Sequence, residues 1–175
     1  MRHRLRRCWA RWRNGAQADF FMDANAIAAT PTLVDAIFAA WHGVAPAAPI
    51  GAAQSGPARD AYFQGVGAAR TALAGRNTAC LQLPYGAADA FTRAYAAELG
   101  YEVLLWDIDA RDWAQPGAEA IASAITSQAF PGAVVRLNDL GDPTQTAAAL
   151  DQALPALAQQ GYSVRAYCVP VMSIN

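Results

Sequence analysis

The chain has 175 residues, a net charge of -1 and 54% hydrophobic content, with every one of its 13 basic residues an arginine. That length fits one domain with a real core, and the charged content of 15% lies below the roughly 25% of an average globular chain. No apolar run approaches the ~18 residues of a membrane helix, and Cys8, Cys80 and Cys168, far apart and without a CxxC pair, argue against a zinc site or a disulfide framework and read as buried thiols.

The alanine excess and the absence of lysine read as genomic coding bias. Charge is uneven along the chain. Arg2, Arg4, Arg6, Arg7, Arg11 and Arg13 precede any acid, and the rest of the chain is acidic. Such an arm can touch nucleic acid, phospholipid or the body itself. Leu5, Cys8, Trp9 and Trp12 form an apolar stripe at helical spacing, which favours packing on the body. No apolar h-region follows the arginines, so no signal peptide is visible and the default compartment is cytoplasmic.

A short helix is read over residues 4–13. ADFFM (18–22) reads as a short buried strand, and residues 24–29 as irregular or a helical turn. Thr30 and Pro31 open a helix as N-cap and first residue. Its apolar face is Leu33, Val34, Ile37, Phe38 and Trp41, up to His42. Residues 43–57 are rich in proline and glycine and read as loop. Helix resumes over 58–74 with Tyr62, Val66, Ala69 and Leu73 inward. TACLQL (78–83) is a strand ending at Pro84–Tyr85–Gly86, and a helix follows over 87–99.

Strand 101–106 leads into WDIDARDW (106–113), where Asp107, Asp109 and Asp112 crowd between two tryptophans. A helix runs from Pro116 to about residue 130, then strand AVVRL (133–137), then Asn138–Asp139. Asp142, Pro143 and Gln145 read as a capping-box variant opening a helix to residue 160. SVRAYCV (163–169) is the last strand.

Alternating helices and apolar strands mean a parallel sheet wrapped by helices. An open sheet and an incomplete barrel both fit. Either puts sites at the C-terminal ends of strands, and three consecutive ends carry candidates: Tyr85, the aspartate cluster, and Asn138–Asp139. The cluster fits a catalytic relay, a site of hard oxygen ligands, or polar capping of a strand-to-helix loop, and capping is favoured. His42 reads as a helix-end cation suited to the dipole, and Cys80 as a core thiol. Gly65-Val66-Gly67 falls mid-helix and is no phosphate loop.

LQLPYG (81–86), WDIDARDW (106–113), VVRLNDLGD (134–142) and GYSVRAY (161–167), with ADFFMDANAIAATPTLVDAIFAAWH (18–42) before them, resemble in order and spacing the polysaccharide deacetylases. These are also the NodB-homology domain, or carbohydrate esterase family 4. The resemblance implies an α/β fold, an incomplete distorted (β/α) barrel of the glycoside hydrolase/deacetylase type. Residues 18–169 would form the single NodB-like domain, behind a basic amphipathic helix (1–17) and before a short tail (170–175).

Family enzymes hold a divalent metal, zinc or similar, with one Asp and two His. A second Asp is the base and a late His the acid. Here the first motif, TFDDG, would fall before Met1. The two metal-binding His positions hold Ala47 and Gly51. Gln82 stands for the arginine that pairs with the base, Leu83 for a proline, and Asn138 for the acid. Asp112, which would orient that acid, matches, as do Tyr85 at the oxyanion position and Trp113 and Leu137 at the acetyl pocket. The implied protein acts on a polysaccharide or oligosaccharide with impaired or no hydrolysis of acetyl groups. It has no metal or other cofactor in the chain as written, and no nucleic-acid partner. The alternative is a non-catalytic domain that binds glycan or a protein partner.

Overall fold

A computed structural model describes residues 15–47, 57–74, 76, 78–83, 86, 88–139 and 141–168. The arginine-rich helix read at 4–13, Tyr85, Gly51 and the tail lie outside the described residues. The chain divides into two compact units, one of Ala18–Leu105 with the chain from Ala166, the other of Trp106–Arg165 with the chain up to Gln17.

In the first unit, β1 (Asp19–Met22) pairs in parallel with β2 (Gly43–Pro46), Asp19 opposite Gly43. Between them lie α1 (Ala24–Ala29) and α2 (Pro31–Ala39). Asp23 caps α1 by accepting from the Ala26 N–H at 2.7 Å. Pro31 opens α2 as expected, but the Thr30 side chain makes no cap bond to it. Its hydroxyl donates back to the Ala26 carbonyl at 2.7 Å instead. Helix α2 stops at Ala39, and Trp41 has φ of 63° and is 81% exposed. It therefore leaves the inward face on which the i, i+4 spacing placed it.

The start of the segment read as loop after His42, Gly43–Pro46, is in fact the buried strand β2. Proline costs little there because Pro46 is its last residue, and Ala45 and Val44 are fully buried. α3 (Pro57–Ala72) presents Tyr62, Val66, Ala69 and, just past its end, Leu73 inward, all at most 1% exposed. Burying such a large side chain stabilises by roughly 1.5–3 kcal/mol. Tyr62, Phe63 and Val66 pack on Leu81, Leu83, Ala96 and Tyr101. The last four belong to β3 (Cys80–Leu81) and its exit, to α4 (Ala90–Glu98), and to the approach to β4 (Glu102–Val103). β3 and β4 are parallel neighbours.

In the second unit, β5 (Ile108–Asp109) pairs in parallel with β6 (Val135–Arg136). β5 lies inside WDIDARDW, a stretch read from the sequence as a strand-to-helix loop beyond strand 101–106. α5 (Ala118–Gln128) and α6 (Thr144–Gln159) pack through Ile121, Ile125, Ala149, Ala153 and Leu157. Small alanines on α6 let the two axes approach. Pro155 sits inside α6 on its exposed side, where water can take the carbonyl its missing N–H leaves open. Gln145 does not close a capping box. Its Oε1 accepts from the Gly117 N–H at 2.6 Å and so ties the start of α6 to the start of α5. Residues 163–168 form no strand, although Val164 accepts from the Gln17 N–H at 3.0 Å.

The expectation of buried free thiols is also corrected. Cys80 and Cys168 form a disulfide. Their spacing hid the pair, because β3 and the returning chain meet only in the folded unit.

Candidate functional site at the end of strand β5

β5 ends at Asp109, and the chain then reverses in one turn of 3₁₀ helix, Asp112–Ala114. Two non-glycine residues in the left-handed region bracket it, Arg111 at φ 51° and Gln115 at φ 54°. Such positions cost about 1–3 kcal/mol each and persist only where neighbours hold them. The neighbours are visible. Asp109 Oδ1 accepts from the Arg111 N–H at 2.9 Å, and Gln115 Nε2 donates to the carbonyls of Asp112 (3.2 Å) and Asp142 (3.0 Å).

The reversal points Asp112 inward, where it is 1% exposed. Its carboxylate accepts three hydrogen bonds. Oδ1 takes one from Asn138 Nδ2, and Oδ2 takes one from the Asn138 backbone N–H and one from Thr146 Oγ1, all at 2.8 Å. Asn138 lies two residues beyond β6, and Thr146 on the first turn of α6. The sequence-derived pair Asp112 and Asn138 is thus brought together. Thr146 was missed. Its signal was a hydroxyl in the apolar stripe of α6, in line with Ala149, Leu150, Ala153 and Leu157, since a buried polar group needs a partner.

The other two aspartates of the cluster serve the backbone and a cation. Asp107 Oδ2 accepts from the Val134 N–H at 2.8 Å. Asp109 Oδ2 lies 3.4 Å from Arg136, whose guanidinium stacks 4.3 Å from the Trp106 ring centroid and reaches Asn138 Oδ1 at 3.4 Å. Burial, with the charge of Asp112 as a smaller cause, pushes the Asp139 carboxyl above the ordinary carboxylate range.

Leu137 is half-buried and packs on the α5–α6 core. Trp113 is 55% exposed, with the Arg111 guanidinium 5.3 Å from its ring centroid. Gln82 belongs to the first unit. Its side chain is half-buried and its carbonyl accepts from the Tyr62 hydroxyl at 3.0 Å. His42, also in the first unit, is buried, and its Nδ1 accepts from the Ala18 N–H at 3.1 Å. Burial pushes its pKa below the ordinary value. It is therefore an uncharged acceptor and not the helix-end cation expected from sequence.

Among the described residues, no group of three or more His, Cys, Asp or Glu side chains converges where it can hold a metal ion. Ala47, at one expected ligand position, offers a methyl, and its N–H donates to the Met22 carbonyl. The described residues do not fit a divalent metal. No described helix is long and apolar enough to cross a membrane.

No family model matches the chain. The chain is 47% identical over 70 residues to a peptidoglycan-N-acetylglucosamine deacetylase of Bacillus cereus, covering 38% of the chain and 33% of that relative. It is 28% identical over 163 residues to a chitooligosaccharide deacetylase of a Bradyrhizobium species, covering 84% and 74%. It spans a third of the first of these and 45% of a second chitooligosaccharide deacetylase, from Sinorhizobium fredii. Among solved structures, it superposes on a family 4 carbohydrate esterase of Streptomyces lividans with a TM-score of 0.78 at 26% identity, over 93% of the chain and 83% of the other. The peptidoglycan deacetylase PdaC of Bacillus subtilis gives 0.82 at 17%, over 95% and 82%. BA3943 of Bacillus anthracis, a family 4 pseudoenzyme, gives 0.80 at 20%, over 94% and 59%. These likenesses establish the fold class as the α/β, incomplete distorted barrel of the deacetylase type. Its strands pair in parallel and, among the described residues, close no sheet.

Proposed function

Since the chain belongs to the polysaccharide deacetylases, carbohydrate esterase family 4, we propose that it recognises a poly- or oligosaccharide of the kind its relatives deacetylate and has lost most or all hydrolysis of acetyl groups. One observation carries this reading. Asn138 gives its backbone N–H and an Nδ2 N–H to Asp112, and a carboxamide has no acidic proton to give near neutral pH. The position that supplies the acid by resemblance therefore holds a locked amide. Ala47 supports the same reading, as its side chain has no lone pair for a metal. The named substrates of the relatives point to glycans built on N-acetylglucosamine, and the exposed ring of Trp113 is of the type that stacks on sugar faces.

Incubating the protein and zinc with acetylated chitooligosaccharides and with acetylated xylan tests the reading. We expect saturable binding of an oligosaccharide by calorimetry and no acetate above that of an Asp112→Ala control. Stoichiometric zinc binding with multiple-turnover acetate release would overturn it.

A further inference from the structure

Cys80 and Cys168 are separated by 88 residues, yet their Cα atoms lie 5.6 Å apart across a disulfide. Both are 2% exposed, and with Ala45 they form a small core cluster against Phe21 and Leu104. Residues 166–168 are not in a strand, so no regular ladder holds them. Two other contacts do. Asp19 Oδ2 on β1 accepts from the backbone N–H groups of Tyr167 (2.6 Å) and Cys168 (3.0 Å), and the Tyr167 hydroxyl donates to Glu102 on β4 at 2.9 Å. The fit leaves no slack. A Cβ on Gly43 would lie 3.2 Å from the Cys168 carbonyl and would collide with Asp19.

We infer that the Cys80–Cys168 bond is a redox-operated clasp on the returning chain. Oxidised, it fixes residues 166–168 to β3 of the first unit. Reduced, that segment keeps, among the described residues, the Asp19 and Glu102 contacts and the packing of Cys168 on Ala45, loses its covalent tie and opens, while the helices of Trp106–Arg165 keep their packing. Opening is thiol–disulfide exchange with a dithiol. One reductant thiolate attacks a protein sulfur and forms a mixed disulfide. The second reductant thiol displaces it, leaving two protein thiols and an oxidised reductant. With both sulfurs buried, the exchange waits on local opening of the segment. A clasp of this kind persists in an oxidising compartment and not among cytosolic thiols.

The test uses the full chain purified without reductant. Alkylation and peptide mapping should find the peptides of Cys80 and Cys168 linked and Cys8 alkylated. Hydrogen exchange is then followed with and without a dithiol reductant, with bond cleavage verified by mass. Reduction should lower protection of the Tyr167 and Cys168 amides by about tenfold or more and leave α5 and α6 unchanged. A Cys80→Ser/Cys168→Ser variant should show the reduced pattern without reductant and respond no further. Three results overturn the clasp: both cysteines alkylating in the folded, unreduced protein; verified cleavage with unchanged protection; or protection lost throughout α5 and α6. The wild-type measurement decides the matter even where the double variant does not fold.

Discussion

Replacing Asp112 by alanine tests how the reversal after β5 is held. The change strands three donors. Thr146 Oγ1 is fully enclosed, and leaving it unsatisfied costs roughly 1–3 kcal/mol. The two donors of Asn138 are half-buried, so water replaces part of each bond, at about 0.5–1 kcal/mol apiece. Asp112→Ala should therefore destabilise by about 2–5 kcal/mol, a large share of the roughly 5–15 kcal/mol of a typical domain. Thr146→Val keeps the shape and removes one bond to a charged acceptor, at roughly 1.5–2 kcal/mol. The two changes share that bond, so the double variant should fall short of additivity by about 1–2 kcal/mol. Urea unfolding followed by tryptophan fluorescence, with a constant slope across the series, measures all four corners of the cycle. A cost below about 1 kcal/mol for Asp112→Ala, or full additivity, would refute the idea that this carboxylate organises the site.

Other substitutions probe the neighbouring parts. His42 has a folded pKa below its ordinary 6.5, so its contribution to stability is present above pH 6.5 and is lost as pH falls through the folded value. His42→Asn, which keeps an acceptor for the Ala18 N–H and does not titrate, should flatten that acid-side loss in urea midpoints taken at several pH values. Gly43→Ala drives a methyl into Asp19 Oδ1 and should cost about 2–4 kcal/mol by displacing the carboxylate; thermal melts of the single variant and of Gly43→Ala/Asp19→Ala should show part of that cost relieved in the double. Asn138→His places an imidazole against Asp112, and proton NMR should find it titrating above the ordinary histidine value. With zinc present, acetate release should stay at background, because Ala47 still offers no ligand.

Much of the architecture is legible along the chain because it depends on short-range chemistry. Pro31 at a helix start and the spacing of Tyr62, Val66, Ala69 and Leu73 each act over one or two turns. The ordered motifs around Asp112 and Asn138 led to the right pairing. Where local signals misled, burial overrode them. Residues 43–46 look like loop by composition but are a buried parallel strand. Ile108–Asp109 looks like part of a strand-to-helix loop but carries a ladder with β6. Trp41 looks inward by periodicity but is exposed, because the helix has already ended.

The sequence by itself determined the longer described helices, their alternation with apolar segments, and the absence of a titrating side chain at position 138. Each depends on residue type and on neighbours a few positions away. Only the tertiary structure decided that Thr146 serves Asp112, that His42 is an acceptor and not a cation, and that Cys80 meets Cys168. In all three, groups 24 to 88 residues apart are brought into contact, and spacing along a chain says nothing about which distant groups must satisfy one another once water is excluded.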